Sequence, residues 1–248
     1  MIKIRALIEV KGNIKNIVDK EFERIKEDIK NYNPKLVFEE TEEGEFYTKI
    51  GEFEISFNNL LEYLEFCLKY GADIEVVSPD KLVLDVDEIN KALAFVISFF
   101  KKIYEKYNVV YKMDLKEKDI NVEEYKLGRF DEDEILELSE EYIRVKCVFE
   151  GVGKDEETVI KKLISTLDSE NIIINKVLTQ NFDKDKFNGL VAIDMFCKPF
   201  ELFEIAYKFL PIAISVQKNK VEINLSELQD IGNELSGAVF EIAHIIKG

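Results

Sequence analysis

The chain repeats itself, and this constrains its fold more than any single motif does. Residues 4–12, IRALIEVKG, match residues 143–151, IRVKCVFEG, at an offset of 139 positions. The same offset returns further along, where residues 78–90, SPDKLVLDVDEIN, match residues 217–229, QKNKVEINLSELQ. Few identities survive, but the patterns agree. Ile4, Ala6, Ile8 and Val10 alternate along one strand, as do Ile143, Val145, Cys147 and Phe149. Leu82, Leu84 and Val86 alternate as Val221, Ile223 and Leu225 do. The chain therefore reads as a first α+β repeat at 1–107, an acidic linker at 108–141 and a second α+β repeat at 142–248.

Each repeat reads as strand, helix, strand, strand, helix, strand, and then a further strand and helix. In the first copy, Ile14, Val18, Phe22, Ile25 and Ile29 follow helical spacing over 14–31. Asn33-Pro34 ends that helix, because proline disfavours the α conformation in the residue before it. Strands follow at 35–39 and 46–57, with Gly51 read as a bulge or bend. The helix at 60–70 stops at Gly71, a natural C-terminal cap. Strands at 74–77 and 82–86 form a hairpin about Ser78-Pro79-Asp80, and Asp87 caps the last helix. In the second copy the first helix centres on Val159, Ile160, Leu163, Ile164 and Leu167. Strands at 172–178 and 190–197 and a helix at 200–210 follow. A hairpin then turns at 218–220, and Ser226 caps the last helix with Gln229 completing a capping box. The fold class expected is α+β: an internal duplication of a ferredoxin-like βαββαβ unit with an appended hairpin strand and helix. That is an architectural analogy, since such folds host many unrelated functions. Phe22, Ile25, Leu64, Ile74 and Leu84, and Ile164, Leu167, Ile214 and Ile223, are the expected core.

Composition narrows the class. Apolar residues make up 46% of the 248, enough for a packed core. No apolar run reaches the ~18 to 20 residues a membrane helix needs. The N-terminus, MIKIRALIEVKG, alternates like a strand rather than running apolar like a signal peptide, so a cytoplasmic protein with no membrane association is expected. Cys67, Cys147 and Cys197 are far apart and form no C-x-x-C pair, which suits apolar fillers in a reducing compartment and points to no metal site. A net charge of −16 repels polyanions, and only four residues are arginine, so nucleic acid is a disfavoured partner. Abundant Lys, Glu and Ile resemble the usage of thermophilic archaeal proteins.

The chemistry-bearing residues are few. His244 is the single histidine, and it lies off the apolar stripe of the last helix. Gly151-Val152-Gly153-Lys154 falls short of a phosphate loop: Val148 stands where the first glycine belongs, and Asp155 follows the lysine. The two glycines read instead as turning the chain out of its strand. The acidic run 39–45 lacks the alternating ligand spacing of a calcium loop, Lys184 and Lys186 compensate the two acids Asp183 and Asp185, and both stretches read as solvated turns. No cofactor is indicated.

One constellation stands out. Arg5 and Arg144 occupy matched outward positions on the two first strands, and Glu54 and Asp194 on the two third strands. They read either as cross-strand ion pairs, Arg5 with Glu54 and Arg144 with Asp194, or as a ligand site for an anion on the open sheet face. Together these features favour a non-catalytic binding or assembly module whose partner is another protein chain or a second copy of itself. The alternative is a small-molecule-binding regulator or enzyme with a site between the two repeats.

Overall fold

The computed structural model describes residues 1–108, 119–167 and 171–247, with side chains through residue 242. In chain order the elements are β1 (Ile2–Gly12), α1 (Lys15–Asp28), β2 (Lys35–Glu43), β3 (Tyr47–Phe57), α2 (Leu60–Tyr70), β4 (Asp73–Ser78), β5 (Lys81–Asp85) and α3 (Val86–Tyr107). Then come α4 (Val122–Leu127), α5 (Glu132–Glu141), β6 (Ile143–Gly153), α6 (Glu156–Leu167), β7 (Ile172–Asn181), β8 (Phe187–Cys197), α7 (Pro199–Glu204), β9 (Ala213–Val216), β10 (Lys220–Asn224) and α8 (Leu225–Lys247). A 3-10 turn (Ile29–Tyr32) extends α1, and a π-helical turn (Ile205–Phe209) extends α7.

Alternation does what it promises in β1. Ile2, Ile4, Ala6 and Ile8 are buried on one face, while Lys3, Arg5 and Leu7 face out. The first sheet runs β2-β3-β1-β4 and the second β7-β8-β6-β9, each with antiparallel neighbours. Gly51 is no bulge. It pairs regularly with Ile8 and Glu39, and a β-carbon there would stand 2.7 Å from the Phe22 ring. Space for that ring is what the position demands. Gly151 likewise stays inside β6, opposite Gly189, rather than turning the chain out.

The expected hairpins do not form. β4 pairs with β1 and β9 with β6, whereas β5 and β10 pair with each other in a separate two-stranded sheet. Adjacent strands pair most readily when nothing else offers an edge, but here each fifth strand meets its counterpart from the other half of the chain. At one end of this pair Leu225 N–H donates to the Asp80 carbonyl at 2.9 Å; at the other Val86 N–H donates to Asn219 at 3.0 Å. Helix caps also sit two residues earlier than the sequence suggested. Asp85 with Glu88, and Asn224 with Glu227, form the boxes that Asp87 and Ser226 were expected to make.

The chain folds into two compact units, Met1–Val83 with Glu222–Gly248, and Leu84–Val221. In the first, α8 packs on α2 and β4. Tyr63, Phe57 and Phe66 form an aromatic cluster with Tyr32 in its core. In the second, α3 packs on β9 and the π turn, with the Phe100 and Tyr207 rings 5.3 Å apart. Of the expected core, Phe22, Leu64, Ile74, Leu84, Ile164, Leu167 and Ile223 are buried. Ile25 and Ile214 are half-buried, at the flank of the α1 stripe and on an edge strand respectively.

The acidic segment carries structure. α4 buries Val122 and Tyr125 and packs on β7 and α6, while α5 has no buried residue and keeps its acids in water. An Asp131–Glu134 capping box starts α5. Residues 109–118 of the expected linker lie outside the described residues.

Candidate functional site

In the second unit, Arg144 and Asp194 meet on the outer sheet face. The Arg144 Nε and Nη2 groups donate to the two Asp194 carboxylate oxygens at 2.9 and 2.8 Å, a bidentate pair. This bond to Asp194 raises the guanidinium above its ordinary pKa. The reach is diagonal, because the ladder places Arg144 opposite Phe196 and Lys146 opposite Asp194.

A third residue joins them that the sequence reading missed. Asn175 Nδ2 donates to Asp194 Oδ2 at 2.9 Å. The β7 ladder skips a position between Ile174 and Lys176, so Asn175 sits at a bulge with its own amide groups freed from strand pairing. Its side-chain oxygen accepts from the Arg129 and Phe130 N–H groups, both at 3.2 Å, and its carbonyl accepts again from Arg129 N–H at 3.1 Å. Phe130 packs edge-on against Phe196 at 6.4 Å. The cluster is thus a clamp: the chain leaving α4 is held on the β7 edge by Asn175, which Asp194 orients, and Arg144 neutralises that acid. An asparagine inside the run Ile172-Ile173-Ile174-Asn175-Lys176-Val177 is a polar break in an apolar strand, and that was the available signal.

The first unit arranges its residues differently. Arg5 lies opposite Glu54 in the ladder, yet its guanidinium reaches Glu75 on β4, at 3.4 Å. Glu54 pairs with Lys35 at 3.1 Å. A one-strand step to either side is equally short, and acids stand on both neighbours, so the sequence could not choose. Glu54 and Asp194 are not matched in the ladders either, since the position facing Arg144 is Phe196.

The same strand position also differs in cover. β2 is the edge counterpart of β7, and it too skips a ladder position, between Leu36 and Phe38, leaving Val37 where β7 has Asn175. Asn175 is buried under residues 129 and 130, whereas every residue of β2 is exposed, with Leu36 and Val37 at 45% and Phe38 at 41%.

Other candidates resolve into local structure. Asp155 caps α6 by accepting from Thr158 N–H at 2.7 Å, so the glycine-lysine stretch ends in a helix cap. Cys67, Cys147 and Cys197 are free thiols, all buried, and burial pushes each above its ordinary pKa. Among the described residues no three of His, Cys, Asp or Glu come together as metal ligands. The His244 side chain lies outside the described residues. No described helix is long and apolar enough to cross a membrane.

The profile of the MJ0538 family matches residues 3–247. An uncharacterized protein, MJ0538, of Methanocaldococcus jannaschii is 56% identical across 99% of this chain and 98% of its own length. No solved structure matches the chain. The chain belongs to the MJ0538 family.

Proposed function

We propose that this MJ0538-family chain is a non-catalytic binding or assembly module that receives another protein chain, or a second copy of itself, along β2. One observation carries the reading: the bulged edge residue Asn175 is closed over by the chain's own residues 129 and 130, while its counterpart Val37 stands open between Leu36 and Phe38. An open edge strand with three consecutive exposed apolar side chains is a template for strand addition. Glu39, Glu40, Glu42 and Glu43 guard the second half of β2 against indiscriminate pairing, which leaves 35–38 as the receptive part.

The reading of the chain as two copies of a ferredoxin-like unit belongs with this proposal. Its support is the shared order of the two four-stranded sheets and the 139-residue offset. That offset carries Asp85 and Glu88 onto Asn224 and Glu227, and the Val86–Asn219 bond onto the Leu225–Asp80 bond. On this view the last helix of each copy completes the compact unit built on the other copy's sheet.

Sedimentation velocity over a wide concentration range, with wild type and Val37→Lys, tests assembly. Self-association that the substitution abolishes, with the melting temperature unchanged, supports a second copy as partner. A monomer whose β2 amides shift on adding a peptide of alternating valine and lysine supports a different chain. The absence of both responses would sink the proposal.

A further inference from the structure

Strand β9 is also an edge, and a cleft of about 570 Å³ lies between it and α3, within the second unit. Its apolar wall is Ala94, Ile97 and Ile212, and its polar rim carries Lys101, Lys102 and Glu105. In an antiparallel edge strand alternate residues turn their N–H and C=O groups away from the sheet. Val216 is one of these in β9, because its N–H donates outward to Asn90 Oδ1 at 3.3 Å. Ile214, two residues earlier, therefore turns its amide groups the same way, towards α3 and the cleft it lines.

The first unit shows how such groups are satisfied when the edge is closed. There Ile74 and Val76 face α8, and Asn233 both accepts from Ile74 N–H at 2.8 Å and donates to its carbonyl at 3.0 Å. Gln229 takes Val76 N–H at 3.1 Å. The offset of 139 aligns Gln229 with Asn90, which keeps the role, but it aligns Asn233 with Ala94. A methyl group replaces the amide, and the cleft opens at that place. Lys101 and Lys102 face it with no carboxylate within ion-pair distance among the described residues, in a chain of net charge −16.

We propose that this α3–β9 cleft binds a small amphiphilic anion, with a carboxylate or similar group on Lys101, Lys102 and the Ile214 N–H and an aliphatic body on Ala94, Ile97 and Ile212. The volume lies in the range of small-ligand sites, and the mix of an apolar wall with few convergent polar groups is what such sites use. Glu105 selects against ligands that carry a second negative charge near its end of the cleft. The site is independent of the β2 edge.

Amide NMR titrations of the full chain with sodium hexanoate and, as its uncharged match, 1-hexanol test this. Hexanoate should give saturable shifts at Ile212, Ala213, Ile214 and Ala94, and hexanol only weak ones. The Lys101→Gln/Lys102→Gln double variant should weaken hexanoate about tenfold or more, as loss of charge-assisted bonds does. Ala94→Asn, which restores the residue of the closed edge, should abolish the shifts while leaving those of Ile74 and Val76 unmoved. Equal response to hexanol and hexanoate, no saturable shift at these amides, or undiminished binding in both variants would overturn the proposal.

Discussion

The Tyr63 hydroxyl, fully buried, donates to the Leu228 carbonyl at 2.8 Å and so ties α2 to α8. One turn on, Gly232 lies over the same ring: a β-carbon there would stand 1.9 Å from the Tyr63 oxygen and 2.8 Å from Cζ. Helix propensity alone says that Gly232→Ala should stabilise by about 1 kcal/mol. Overpacking a close helix crossing costs about 1–3 kcal/mol and should win. Chemical denaturation should therefore show Gly232→Ala destabilised, and Tyr63→Phe in the same chain should restore part of the loss. A stabilised Gly232→Ala would show that α8 does not approach α2 this closely.

The two arginine sites should respond unequally to replacement by methionine. Arg5 and Glu75 are exposed and joined by one long contact, so Arg5→Met should cost under about 1 kcal/mol. Arg144 is bidentate to an Asp194 that is only 12% exposed, so Arg144→Met should cost about 1.5–3 kcal/mol by leaving that acid short of its partners. Asn175→Ala should in addition raise hydrogen exchange at Arg129 and Phe130. Equal, small effects at Arg5 and Arg144 would refute the clamp.

Thiol chemistry offers a simple check on burial. Because the thiolate is the reactive form and burial pushes all three thiols up, the native chain should react very slowly with an aromatic disulfide reagent near neutral pH. All three should react promptly in denaturant. A fast native phase would mean that one of the cysteines is solvent-accessible.

Acid should weaken the fold through a small set of carboxylates. The hydrogen bond from Lys26 holds Glu39 below its ordinary value of 4.5, and that from Lys126 does the same for Glu156. A carboxylate depressed in the folded state contributes stability above its unfolded value, and that contribution is lost as pH falls through the folded one. Stability should thus decline as pH drops below about 4.5, and the Glu39→Gln/Glu156→Gln variant should show a shallower decline. An unchanged slope would assign the acid limb to other groups.

Local patterns were legible because they depend only on neighbours in the chain. Alternation in β1 and β6, the helical stripe through Val18, Phe22 and Ile29, the Gly71 cap and the repeated register all follow from side-chain periodicity and backbone sterics. What stood beyond reach was every choice among near-equal partners. The apolar stripe of α8, with Leu228, Ile231 and Leu235, suits the sheet edge of either half, and only packing against Tyr63 and Ile74 shows which one it closes. β5 could have folded back on β4 and instead pairs with β10. Arg5 had acids on both neighbouring strands, and Asn175 acquires its role only when residues 129 and 130 arrive from 45 residues away. Periodicity determines which face of an element is buried, whereas the partner depends on shape, and shape exists only once the chain has packed.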